Sequence, residues 1–225
     1  PDFDNARTGY QIIKFVLSNE YDGYNTNVND LPIFRYAEVL LNFAEAKAEM
    51  GQLSQSDIDA SINLIRARVG MPNLTLSGLA VDPVLESRYA NVEGNLKAAI
   101  LEIRRERRVE LAVEGLRYDD LIRWKVGHLM AEPFHGMYFP SIGMVDVDGD
   151  GADDIALVEE VPSDPVDGIL YLDLGAGFDI TNGTSGNIVM HPDIEKVFVD
   201  PKHYLFPLPR TELLLNENLT QNPGY

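Results

Sequence analysis

The sequence predicts a mainly α fold: a tetratricopeptide-like helical scaffold carrying a loop-rich, partly β C-terminal region. Three observations lead there. Helical periodicity and helix-stop signals run from about residue 31 to 130 and then cease. From about 131 onward Gly, Pro and Asp become frequent between short β-like runs. Charge divides at the same place. Residues 95–125 hold eight Lys and Arg against six acids, a net of +2, whereas 141–200 hold fourteen acids against one Lys, a net of −13. Residues 1–225 read as one domain with these two parts.

The opening thirty residues are polar and aromatic and close on Pro32; a short strand over 11–17 and then a loop are expected. In IFRYAEVLLNFAEAKAEMG, apolar and small side chains surround most of a helix, as in a helix buried among others. Gly51 is placed to end it. Ser54 is placed to cap one further helix, QSDIDASINLIRARVG, in which Ile58, Ile62, Ile65 and Val69 share a stripe. Gly70 and Pro72 stop it. Together they form an antiparallel pair of roughly the length found in tetratricopeptide repeats, with Ala37, Ala44 and Ala48 leaving room for a neighbour. VDPVLESRYANVEG reads as loop with one helical turn. A long helix is expected over about 95–114, broken by Gly115, and a shorter one carries Trp124, the sole tryptophan, read as a core residue. The β-like runs are GMYFP, DIALVEE, GILYLDL and IEKVFV; an extended piece, a helical turn and a Pro-Gly tail follow.

The totals exclude several classes. A net charge of −18 and a pI near 4.4 argue against a nucleic-acid partner, which needs a basic footprint. No run of eighteen apolar residues is available to span a bilayer. Without cysteine there is no disulfide framework or thiol nucleophile. The chain opens without Met or a signal-peptide pattern and reads as a mature product or a fragment of something longer. The four histidines show no metal-binding spacing.

Two charged motifs stand out. In RRERRVE, Arg104, Arg105, Glu106, Arg107, Arg108 and Glu110 lie at three- and four-residue spacings with Glu102 and Glu114, so a structural ion-pair network is expected in preference to an anion site. In MVDVDGDGADDI, Asp146, Asp148 and Asp150 take positions 1, 3 and 5 of a calcium-loop pattern, Gly151 the turn, Ala152 a carbonyl position and Asp154 position 9. Position 12 is Leu157, not a bidentate Glu, and the flanks read as strands, so a structural Ca2+ in a hairpin is expected rather than a sensor. Glu159 or Glu160 are candidates to complete the shell.

Three segments together resemble the SusD/RagB family of outer-membrane glycan-binding lipoproteins: RYAEVLLNFAEAKAEMG with INLIRARVGMP, ILEIRRERRVELAVEGLRYDDLIRW, and KHYLFPLPRTELLLNENLTQNPGY. They occur in the family's order and cover nearly all of the chain. The resemblance implies a non-catalytic surface protein that captures oligosaccharide and hands it to a SusC-like TonB-dependent transporter. It also implies a C-terminal half, whose missing N-terminal half is a partner and bears the lipid-anchoring cysteine of the outer membrane.

No individual glycan residue carries over from that resemblance, so candidates come from aromatic loops. SNEYDGYNTNVND offers Tyr21 and Tyr24 for stacking, with Asn19, Asp22, Asn25 and Asn27 for hydroxyls. EPFHGMYFP offers Phe134, His135, Tyr138 and Phe139. Two alternatives stay open: a calcium-stabilised glycoside hydrolase using Glu159 or Glu160 with an aspartate, and a protein-interaction scaffold without a sugar site.

Overall fold

A computed structural model describes residues 6–21, 23–26, 28–30 and 32–225. The chain divides into two compact units, Phe15–Leu129 with Asp200–Tyr225, and Pro1–Lys14 with Met130–Val199.

The first unit is helical: α1 (Tyr36–Glu49), α2 (Gln55–Asp59), α3 (Ile62–Arg68), α4 (Pro83–Arg88), α5 (Lys97–Glu110), α6 (Arg117–Arg123) and α7 (Arg210–Leu215). Helix α1 stops as expected. Gly51 adopts φ 69°, and the Gln52 and Gly51 amides turn back to the carbonyls of Lys47 and Ala48. Gly70 repeats this after α3, at φ 70°. Ser54 caps α2 through a reciprocal box with Asp57.

The single helix expected after Ser54 is instead two. Ser61 leaves helical geometry at φ −134° and ψ −88°. Its buried hydroxyl bonds the Asp57 carbonyl at 2.5 Å, a local bond that competes with the helix ladder. The expected stripe survives the break at Ile58, Ile62 and Ile65, which are buried; Val69, at the C-cap, is exposed. Helix α5 is shorter than the predicted 95–114, because the chain turns after Leu111 and Val113 takes φ 60° before Gly115.

Helix α1 packs on α3 and α5, and α4 packs on α5. Leu41 and Ala44 of α1, Ile58 of α2, Ile62 of α3 and Ile103 of α5 are completely enclosed. Each of the leucine and isoleucine side chains contributes about 1.5–3 kcal/mol of burial. The all-round burial expected of α1 is not reached in this chain: Tyr36, Val39 and Phe43 face outward. No strand forms over 11–17, where Ile12, Ile13 and Val16 are exposed and find no partner strand among the described residues. No described helix is long and apolar enough to cross a membrane.

The second unit holds two three-stranded sheets. One runs β1 (His135–Phe139), β6 (Gly186–Val189), β5 (Asp179–Ile180), all antiparallel. The other runs β2 (Gly143–Val145), β3 (Ile155–Val158), β4 (Leu170–Asp173), with β2–β3 antiparallel and β3–β4 parallel. Their inward residues Phe139, Ile155, Leu157, Leu172, Ile180 and Ile188 make one core. Of the predicted runs, IEKVFV forms no strand; β5 and β6, too short to announce themselves by alternation, form instead.

Candidate functional site

The arginine-rich signature is held in a lattice of pairs. Its partners come mainly from other helices rather than from its own turns. Arg107 Nε lies 2.8 and 2.7 Å from the two carboxylate oxygens of Asp120 on α6, and its Nη1 lies 2.6 Å from the Asn42 carbonyl oxygen on α1. Glu106 accepts from Arg66 of α3 at 2.7 Å, and Glu102 accepts from the same guanidinium at 2.6 Å. Glu110 receives Arg68 at 2.7 Å and Arg35 at 2.9 Å, while Arg35 also reaches Glu114 at 2.7 Å. Arg105 pairs within its own helix, with Glu102 at 2.7 Å, and it also reaches Asp82 at 3.3 Å. Arg108 is exposed. Sequence spacing predicts ion pairs here but not the partners Arg35, Arg66 and Asp120, which helix packing brings in.

Arg104 has a different environment. Its guanidinium carbon lies 4.7 Å from the Trp124 ring centroid and 5.2 Å from that of Tyr89, with Glu49 at 3.7 Å. Nε and Nη1 have no hydrogen-bond partner among the described residues. Burial pushes its pKa down, opposed by the charges of Glu49 and Glu45. The aromatic faces supply part of the compensation that hydrogen bonds do not. Trp124 is buried and meets Tyr89 edge-on at 5.9 Å between centroids. It is a core residue, not an exposed platform.

The acidic loop joins β2 to β3 as a hairpin. Three carboxylates, of Asp146, Asp148 and Asp154, each bring one oxygen to within 4.8 Å of the others. The loop backbone fixes them. Gly149 and Gly151 donate to Asp146 at 2.7 and 2.9 Å, Asp150 donates to Asp148 at 3.0 Å, and Val147 donates to Asp154 at 2.9 Å. Gly149 and Gly151 take φ 80° and 93°, which a side chain would resist. Asp150 stands outside the trio and accepts from the Ala152 amide at 2.8 Å. Glu159 and Glu160 are exposed and outside it as well.

The aromatic candidates fall in both units. Tyr21, Tyr24 and Asn25 are exposed in the helical unit, Tyr24 at 95% and Asn25 with φ 64°; Asp22 and Asn27 lie outside the described residues. In the sheet unit His135 and Tyr138 are exposed on β1, with Tyr138 opposite Asn187 and His135 opposite Val189. Phe134 is exposed beneath the Lys196 ammonium, 3.9 Å from its ring centroid. Phe139, offered as a binding candidate by sequence, is instead fully buried, because its place on the inward face of β1 points it into the sheet core.

A family model described as the SusD family matches residues 1–225, and the chain belongs to that family. Among solved structures, a SusD-like protein of Bacteroides fragilis NCTC 9343 is similar at 26% identity and TM-score 0.51, covering 87% of this chain and 26% of that one. A SusD-like carbohydrate-binding protein of the same strain is similar at 26% identity and TM-score 0.50, covering 84% of this chain and 28% of that one. The chain thus spans about a quarter of the length of these structures. No curated protein sequence matches it.

Proposed function

We propose that this chain is part of a non-catalytic, lipid-anchored protein on the outer-membrane surface that binds an oligosaccharide and delivers it to a SusC-like TonB-dependent transporter. The observation that carries the reading is membership of the SusD family over 1–225, supported by a 26%-identical structure described as carbohydrate-binding. Exposed aromatic and amide side chains at Tyr21, Tyr24, Asn25, His135 and Tyr138 are suitable ligands for sugar faces and hydroxyls. The test is a glycan array, followed by Tyr21→Ala, Tyr24→Ala and Tyr138→Ala on any glycan retained. Binding without release of new reducing ends supports the proposal. Turnover of a bound glycan would replace it with a hydrolase, and an empty array with retained transporter binding would replace it with a scaffold.

A structural Ca2+ in the β2–β3 hairpin accompanies this proposal. Calcium binds oxygens at about 2.3–2.6 Å, so ligand oxygens on opposite sides of one ion lie up to roughly 5 Å apart. The oxygens of Asp146, Asp148 and Asp154 meet that spacing, and the ion would offset three like charges held together. Asp150 and the Ala152 carbonyl, the other two positions of the motif, are the next ligands to test.

A further inference from the structure

A cavity of about 240 Å³ opens in the sheet unit, beside the end of β6 and the entry to β5. Its apolar side is built by Phe178, Ile188 and Met190; its polar side by Arg7, His191 and Asp193. The sheet core holds Ile188, which is 1% exposed, so the floor is rigid, while the polar groups come from loops and are exposed.

Two features separate this hollow from an ordinary surface dent. Arg7 and Asp193 line the same cavity yet form no ion pair with each other, and Arg7 makes no side-chain hydrogen bond or ion pair among the described residues. A donor-only group and an acceptor-only group are thus both available to whatever enters. His191 takes φ 54°, a left-handed backbone that costs energy in a residue with a side chain and is often found at working sites. The volume lies below the roughly 300–1,000 Å³ of drug-sized pockets, so it suits one small ring, not a chain of them.

Charge selects the class of ring. The sequence of this unit carries sixteen acids against three bases, and Arg7 is one of the three. That field repels anions, and Asp193 adds a negative charge inside the cavity itself. A sugar hydroxyl both donates and accepts, so a pair of neighbouring hydroxyls satisfies Arg7 and Asp193 together, with the apolar face of the ring toward Phe178. The geometry points to a pocket for a single neutral pyranose residue, gripped through vicinal hydroxyls by Arg7 and Asp193. This rests on the glycan-binding reading above and gives it a specific place and sugar class.

The test is ligand-observed NMR on the 225-residue chain with methyl glucoside, methyl mannoside and methyl galactoside, against glucuronate and inorganic phosphate. At least one neutral glycoside should bind, and Arg7→Gln or Asp193→Asn should each weaken it five-fold or more. His191→Gly should weaken binding without lowering Tm, since glycine accepts that backbone freely; this separates a lost contact from a lost fold. Neutral binding unchanged in all three variants would overturn the pocket while leaving the glycan reading intact. Tighter binding of glucuronate or phosphate would overturn the neutral class. Silence from every monosaccharide with a positive glycan array sinks the pocket alone; silence in both sinks the pocket and the glycan reading together.

Discussion

The indole Nε1 of Trp124 donates to Oε1 of Glu45 across 2.6 Å, tying the end of α6 to α1. Arg123 reaches the same carboxylate with two nitrogens, at 2.5 and 2.7 Å. Burial works to raise the Glu45 pKa, but the bonds from Arg123 and Trp124 and the charges of Arg123 and Arg107 hold it below its ordinary value of 4.5. Glu45→Gln should cost about 2 kcal/mol in urea unfolding at pH 7. The figure is modest because the Arg123 side chain is 43% exposed and water screens it.

The same pair sets an acid dependence. A folded pKa below the unfolded one means that Glu45 contributes fully above about pH 4.5 and loses that contribution as pH falls through the folded value. The stability gap between wild type and Glu45→Gln should therefore narrow below pH 4.5. A gap that stays constant from pH 7 to pH 3 would mean that folding does not lower the Glu45 pKa.

Arg107 and Asp120 test the lattice itself, since both are almost fully buried. Arg107→Leu leaves the buried Asp120 carboxylate with only the partly exposed Arg123, which bonds its Oδ1 at 2.8 and 3.0 Å, and should cost roughly 3 kcal/mol. Adding Asp120→Leu should recover part of that loss, because a buried carboxylate that has lost its bidentate partner is removed. If the double variant is no more stable than the single one, the loss comes from packing around Arg107 rather than from Asp120.

At Gly136 the limit is space. A Cβ there would lie 2.4 Å from the Thr8 carbonyl oxygen and 2.9 Å from its Cα. Gly136→Ala should push the 6–10 segment off β1 at a cost of about 1–3 kcal/mol. The readout is hydrogen exchange at Met137, whose amide donates to Thr8 at 2.7 Å. Unchanged protection there would refute the clash.

For the β2–β3 hairpin, calcium at a hundred times its Kd should stabilise the chain by ~2.7 kcal/mol, seen as a rise in Tm that a chelator reverses. Asp146→Asn with Asp148→Asn should abolish the response. A melting curve indifferent to calcium and chelator alike would remove the ion from this loop.

Local chemistry was legible in the sequence. Gly51, Ser54 and Gly70 act where capping rules put them, because a cap depends on the backbone of its own turn. The 146–154 hairpin was legible for the same reason, since its aspartates bond amides two to seven residues away. The signature segments gave the family. What the tertiary structure alone decided are relations between distant residues: Arg107 with Asp120, Arg66 with Glu102 and Glu106, and Glu45 with Trp124. It also assigned the 200–225 segment to the helical unit and brought Arg7 to one cavity with Asp193. Periodicity reports which face of an element is apolar; which neighbour meets that face is fixed only when the elements pack.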